Sequence, residues 1–177
     1  MQDMVNYLIV FDLDGTLVDT DKANSKAYQQ SVYEVTKITI NTNDCRLTRD
    51  LVQSRIKANN TIMMEIISRK EKLFSEYLKY TTPLPALFIL RHLTNTHNIL
   101  LTQARRKRAE IVLDYYGVTS CFDNLYCKDS YLGKSKFDYL VNEQHYSPSQ
   151  IILFENEQKT ISEAISFGIP KNNIYKS

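Results

Sequence analysis

A chain of 177 residues suffices for one α/β core with a small insertion and is too short for two full domains. Hydrophobic residues make up 43% and charged residues 24%, which excludes an intrinsically disordered chain and fits a folded soluble protein. The net charge of +2 comes from 22 basic and 20 acidic residues, so the totals carry no nucleic-acid footprint.

The first predicted element is the apolar run 7–11, rich in β-formers and bounded by polar residues, which reads as a buried strand of a parallel sheet. It is too short for a signal peptide or a membrane span and lacks a basic leader, so a cytoplasmic protein is expected. Residues 20–81 follow without a single glycine or proline, and apolar positions from Ala27 to Leu78 recur with helical period. They are expected to form a small all-helical cap inserted after the first strand. Thr81-Thr82-Pro83-Leu84-Pro85 would return the chain to the sheet.

Strands are then expected at 99–101, 124–127, 151–154 and 173–175. Helices are expected at 85–96, 105–116, 135–145 and 158–167. Gly117 ends the second of these and Gly168 the fourth, as glycines end helices that close in a left-handed turn. Alternating strands and helices at this spacing predict an α/β, Rossmann-like parallel sheet with helices on both faces. The core would comprise 1–19 and 82–177, with 20–81 as the helical cap.

Cys45, Cys121 and Cys127 are an odd number without CxxC spacing. They suggest buried free thiols in a reducing cytosol, neither a disulfide framework nor a zinc site. His92, His97 and His145 have no metal-ligand spacing.

The chemistry is concentrated where the first strand ends, in Asp12-Leu13-Asp14-Gly15-Thr16. Ligands of a doubly wound sheet bind beyond the carboxyl ends of its strands, and Asp12 is the first residue past the apolar run. Gly15 allows a sharp turn that keeps Asp14 nearby. Two carboxylates this close repel one another unless a cation or a shared proton intervenes. Mg²⁺ fits, because it takes one or two carboxylates together with a substrate phosphate and waters.

This run resembles the first motif, DxDGT, of the haloacid dehalogenase superfamily of phosphatases. The resemblance continues through Thr102 at the end of a later strand, a lysine opening a helix after Gly133, and Glu155-Asn156 ending the fourth strand. It spans Tyr7 to Pro170 and includes the helical cap. It implies a Mg²⁺-dependent phosphatase acting on a small phosphorylated metabolite, as a monomer or homodimer without nucleic-acid or membrane partners. Asp12 would attack phosphorus to form an aspartyl-phosphate. Asp14 would protonate the leaving oxygen and then activate water. Thr102 and Lys134 would hold the phosphoryl oxygens.

Lys134 is preferred over Lys136 because the spacing 133–138 resembles the family's KPxPD. Gly15, Thr16, Gln103 and Arg105 are the expected substrate contacts, and Asp12, Asp14, Glu155 and Asn156 the expected metal ligands. In the cap, Arg55 and Lys57 are candidates for substrate selection. Asn156 departs from the pattern, standing where the family usually has a metal-binding Asp. It removes a charge from the site, so weaker metal binding is expected. Two other readings stay open beside the phosphatase. One is a sugar-phosphate mutase. The other is an inactive protein that binds a phosphorylated ligand or a protein partner.

Overall fold

The structure is a computed structural model that describes residues 7–41 and 46–176. Cys45 lies outside the described residues. Among those described, the chain divides into two compact units, one running through Val18 and from Pro83 onward, the other Asp19–Thr82.

In the first unit, β1 (Leu8–Phe11), β4 (His97–Leu101), β5 (Asn124–Tyr126), β6 (Ile151–Glu155) and β7 (Ile174–Lys176) form one sheet in the order β5-β4-β1-β6-β7. Every neighbouring pair is parallel. β1 is central because all four of its residues are apolar and buried, as a strand covered on both faces must be. The register sets Phe11 opposite Leu100 on one side and Phe154 on the other. The ends of β1, β4 and β6 therefore come level, and their next residues meet at one edge.

Side chains alternate across the sheet. Leu8, Val10, Ile99, Leu101, Ile151 and Leu153 pack with Phe137, Leu140, Ala164 and Ile169. The alternate positions include an aromatic ladder across three strands. Phe11 stacks on Phe154 with ring centres 4.7 Å apart, and Phe154 on Tyr175 at 5.2 Å. Helices α4 (Pro85–His92), α5 (Arg106–Tyr116) and α7 (Gln158–Ser166) connect the strands, with Pro85 in the first turn of α4, where no N–H is needed. The α/β class and the parallel sheet expected from the sequence are what the chain forms.

The helix expected at 135–145 differs in form. It has one α-turn, α6 (Lys136–Asp138), and then continues as a π-turn over Tyr139–Glu143. Its start is fixed by Ser135, whose hydroxyl accepts from the N–H groups of Phe137 at 3.1 Å and Asp138 at 3.4 Å.

The second unit is helical: α1 (Asp21–Thr36), α2 (Arg49–Ile56), α3 (Asn60–Leu73) and a 3₁₀ segment, Phe74–Tyr80. Thr48 and Asn59 cap α2 and α3 by accepting from Leu51 N–H and Ile62 N–H. Its core gathers Tyr28, Val32, Ile40, Leu47, Val52, Met63 and Ile66. Arg55 donates to the carbonyl of Asn41, and Lys57 ends α2 in the left-handed conformation. The chain enters this unit through β2 (Val18–Asp19) and leaves it through β3 (Thr82–Pro83). No helix among the described residues is long and apolar enough to cross a membrane.

Candidate active site

Asp12 follows β1 directly, and its N–H continues the ladder by donating to Phe154 O at 3.0 Å. The chain then turns tightly, with the N–H groups of Thr16, Leu17 and Val18 all donating to Leu13 O. Gly15 makes that turn possible with a φ of +80°, a region side chains rarely enter. A Cβ on Gly15 would also lie 2.3 Å from Asn156 Nδ2, so the glycine gives the Asn156 amide its seat. The Thr16 hydroxyl donates to Asn156 Oδ1 at 3.4 Å.

The centre of the site is a buried charge cluster. The Lys136 ammonium donates to Asp12 Oδ1 at 3.0 Å, to Glu155 Oε2 at 2.8 Å and to Leu101 O at 3.2 Å. The side chains of Lys136 and Glu155 are each only 2% exposed. A buried charge is tolerated when it is paired and its hydrogen bonds are satisfied, and three acceptors satisfy an ammonium. Burial is the largest influence on Asp12 and pushes its carboxyl up to about 7; the Lys136 ammonium opposes this, while the Glu155 and Asp14 charges reinforce it. Burial acts to lower the pKa of Lys136, but Asp12 and Glu155 together hold it above its ordinary value.

This cluster corrects the expectation for Lys134. Lys134 lies ahead of the Ser135 cap, outside the helix, and its exposed ammonium pairs with Glu143. Lys136, the first residue after the cap, is the lysine carried to Asp12. The sequence held a signal for this: Ser135-Lys136-Phe137-Asp138 has the form of a helix start, with a hydroxyl followed three residues later by an acid.

Glu155, expected as a metal ligand, has both oxygens hydrogen-bonded. Oε1 accepts from the N–H groups of Asn156 and Glu157, each at 3.0 Å, and Oε2 holds Lys136. Thr102 is buried at the end of β4. Its hydroxyl accepts from Ala104 N–H at 3.1 Å, and its carbonyl accepts from the Tyr131 hydroxyl at 2.7 Å. Gln103 and Arg105 are exposed and do not join the buried cluster.

Arg108 is a site residue that the sequence reading missed. It stands in the first turn of α5 and donates from Nη2 to Asp14 Oδ1 at 2.7 Å, with side chains only 13% and 21% exposed. The signal was the basic run Arg105-Arg106-Lys107-Arg108, of which the sequence singled out Arg105 alone. Arg105 is the cap residue outside the helix, whereas Arg108 lies three residues further on.

Among the described residues, no three His, Cys, Asp or Glu side chains are grouped to hold a metal ion. The turn nonetheless offers oxygen donors, the Asp12 carboxylate and Asn156 Oδ1. That set fits a hard cation that needs one or two carboxylates and otherwise keeps water.

Residues 9–172 match the family model of the haloacid dehalogenase-like hydrolases. The chain belongs to that family. Three solved structures share the fold of this haloacid dehalogenase-like protein. A predicted phosphoglycolate phosphatase from Haemophilus somnus superposes with a TM-score of 0.75 at 19% identity, covering 94% of this chain and 84% of that one. A predicted phosphatase from Clostridium acetobutylicum gives 0.72 at 15% identity, over 98% and 95%. A candidate beta-phosphoglucomutase from Thermotoga maritima gives 0.69 at 18% identity, over 96% and 84%. Among curated proteins compared by sequence, none matches.

Proposed function

We propose that this protein is a Mg²⁺-dependent phosphatase acting on a small phosphorylated metabolite, with Asp12 as nucleophile. The observation that carries the reading is the buried Lys136 ammonium held between Asp12 and Glu155 where β1 and β6 end. A cation fixed against one oxygen of a carboxylate orients the other and favours its ionised form. The same cation offers charge to a phosphoryl group brought against Asp12.

In this reading an oxygen of Asp12 attacks phosphorus while the bond to the leaving oxygen breaks. Asp14 gives that oxygen its proton. Water then attacks the aspartyl-phosphate, loses its proton to Asp14, and the Asp12–phosphorus bond breaks to release phosphate. Thr102 and Lys136 face the phosphoryl oxygens. Glu155 acts through Lys136, keeping its ammonium in place. Asp12, the Asp14 carbonyl and Asn156 would hold Mg²⁺, which when bound supplies charge neutralisation and orientation of the phosphate. The neighbours described as phosphatases support this class of chemistry.

Asn156 favours a second reading, a protein that holds a phosphorylated ligand without turning it over, because the amide brings no charge to the metal. Release of inorganic phosphate from aryl phosphates, with and without Mg²⁺, separates the two. Metal-dependent release by the natural sequence and none by Asp12→Asn supports the phosphatase. Binding of phosphate without release supports the ligand-holding protein.

A further inference from the structure

The Arg108–Asp14 pair has no place in the mechanism above, yet it touches the group that must both give and take a proton. We propose that Arg108 is a positioning residue for Asp14, holding its carboxylate in the orientation in which it exchanges a proton with the leaving group and with water. The proposal rests on the phosphatase reading of the site.

Three observations carry it. The contact is short, 2.7 Å from Nη2 to Asp14 Oδ1, and links residues 94 apart in sequence. The pair is mostly withdrawn from solvent, so it is screened less than an exposed ion pair. Both ends are anchored: Asp14 sits in the Leu13 turn, and Arg108 is on a helix whose start is tied down by Asp129, which accepts from Arg106 N–H at 2.9 Å. An oxygen accepting from an anchored guanidinium is held in place, so the carboxylate that carries the transferable proton is fixed in one orientation. In the first step that proton passes to the leaving oxygen as the phosphorus–oxygen bond breaks. In the second, the attacking water returns a proton to the same carboxylate. A carboxylate free to rotate would offer either oxygen and lose alignment, and misplacement by about 1 Å can cost on the order of 10²-fold in rate.

The test is the dependence of rate on the leaving group. Wild type, Arg108→Ala and Arg108→Lys are compared on aryl and alkyl phosphate monoesters of rising leaving-group pKa, with circular dichroism confirming that each variant is folded. A good leaving group needs no proton in the first step, whereas a poor one does. For Arg108→Ala, kcat/KM is expected to stay within about threefold of wild type on nitrophenyl phosphate and to fall roughly 10–10²-fold on alkyl phosphates. Its kcat should fall on every substrate, because attack by water needs Asp14 throughout. Arg108→Lys, which keeps the charge but not the fork, should recover part of the loss. An equal loss across the series, or unchanged rates, overturns the positioning role while leaving the phosphatase reading intact. A wild-type protein that hydrolyses none of the series overturns the phosphatase reading, and this inference with it. If Arg108→Ala does not fold, the Lys variant decides: a slope matching wild type contradicts the proposal.

Discussion

Lys136 and Asp12 lie 124 residues apart in sequence, and their side chains meet at 3.0 Å in the buried edge of the sheet. Glu155 completes the contact from the other side at 2.8 Å. Three buried ionisable groups thus share one hydrogen-bonded arrangement, and removing the Lys136 cation would leave two buried carboxyl groups uncompensated. Breaking a buried pair by removing one partner costs about 3–5 kcal/mol, more than an average single mutation.

Lys136→Met is therefore expected to lower stability by about 3–5 kcal/mol and to abolish measurable phosphate release. Lys134→Ala should leave both within a factor of two, since its ammonium reaches only the surface carboxylate of Glu143. Denaturant unfolding and phosphate release on both variants check the assignment. Equal loss in the two would contradict Lys136 as the lysine that serves Asp12.

The raised pKa of Asp12 has consequences for pH. Its carboxyl ordinarily titrates near 3.8 and in the folded protein near 7. Between those values the folded state holds a proton that the unfolded state has released. The contribution of Asp12 to stability is thus fully present below about 3.8 and is lost as pH rises through 7. At pH 8 without metal, Asp12→Asn should unfold roughly 2–6 °C above wild type, with the gap closing at pH 5. A melting difference that is independent of pH would show that Asp12 is not held protonated by burial.

Gly15→Ala tests the seat of Asn156. The added Cβ would lie 2.3 Å from the amide nitrogen, at a backbone φ of +80° that alanine adopts only under strain. A loss of about 1–2 kcal/mol is expected from the backbone alone. Displacement of the amide should also weaken Mg²⁺ binding, followed by calorimetry. Unchanged Mg²⁺ binding would remove Asn156 from the metal site.

Asn156→Asp restores a charge beside Asp12 and Asp14. Mg²⁺ affinity should rise at least tenfold, and the metal-free variant should lose stability through repulsion among the carboxylates. A thermal-shift titration with Mg²⁺ measures both effects, and an unchanged affinity would contradict the ligand set.

The parts legible in the sequence are those whose cause is local. β1, β4 and β6 announce themselves as apolar runs and β5 and β7 more faintly, while Asp12, Asp14 and Gly15 are contiguous with the strand that positions them. Lys136 is different, because choosing it over Lys134 depends on where a helix begins, and one N-cap at Ser135 moves that start by a single residue. Arg108 and the Glu155–Lys136 bond were out of reach for another reason. Both join residues on separate elements, 94 and 19 positions apart, whose meeting is decided by sheet register and helix packing. The aromatic ladder Phe11–Phe154–Tyr175 follows from the same register.

The most direct test of the account is capture of the covalent intermediate. Protein quenched in acid within the first turnovers of an aryl phosphate, then digested and analysed by mass spectrometry, should carry a phosphoryl group on Asp12. The modified fraction should increase in Asp14→Asn, where water is no longer activated, and vanish in Asp12→Asn. Phosphate release by the natural protein with no phosphoryl group on Asp12, or with one on a different residue, would contradict the account.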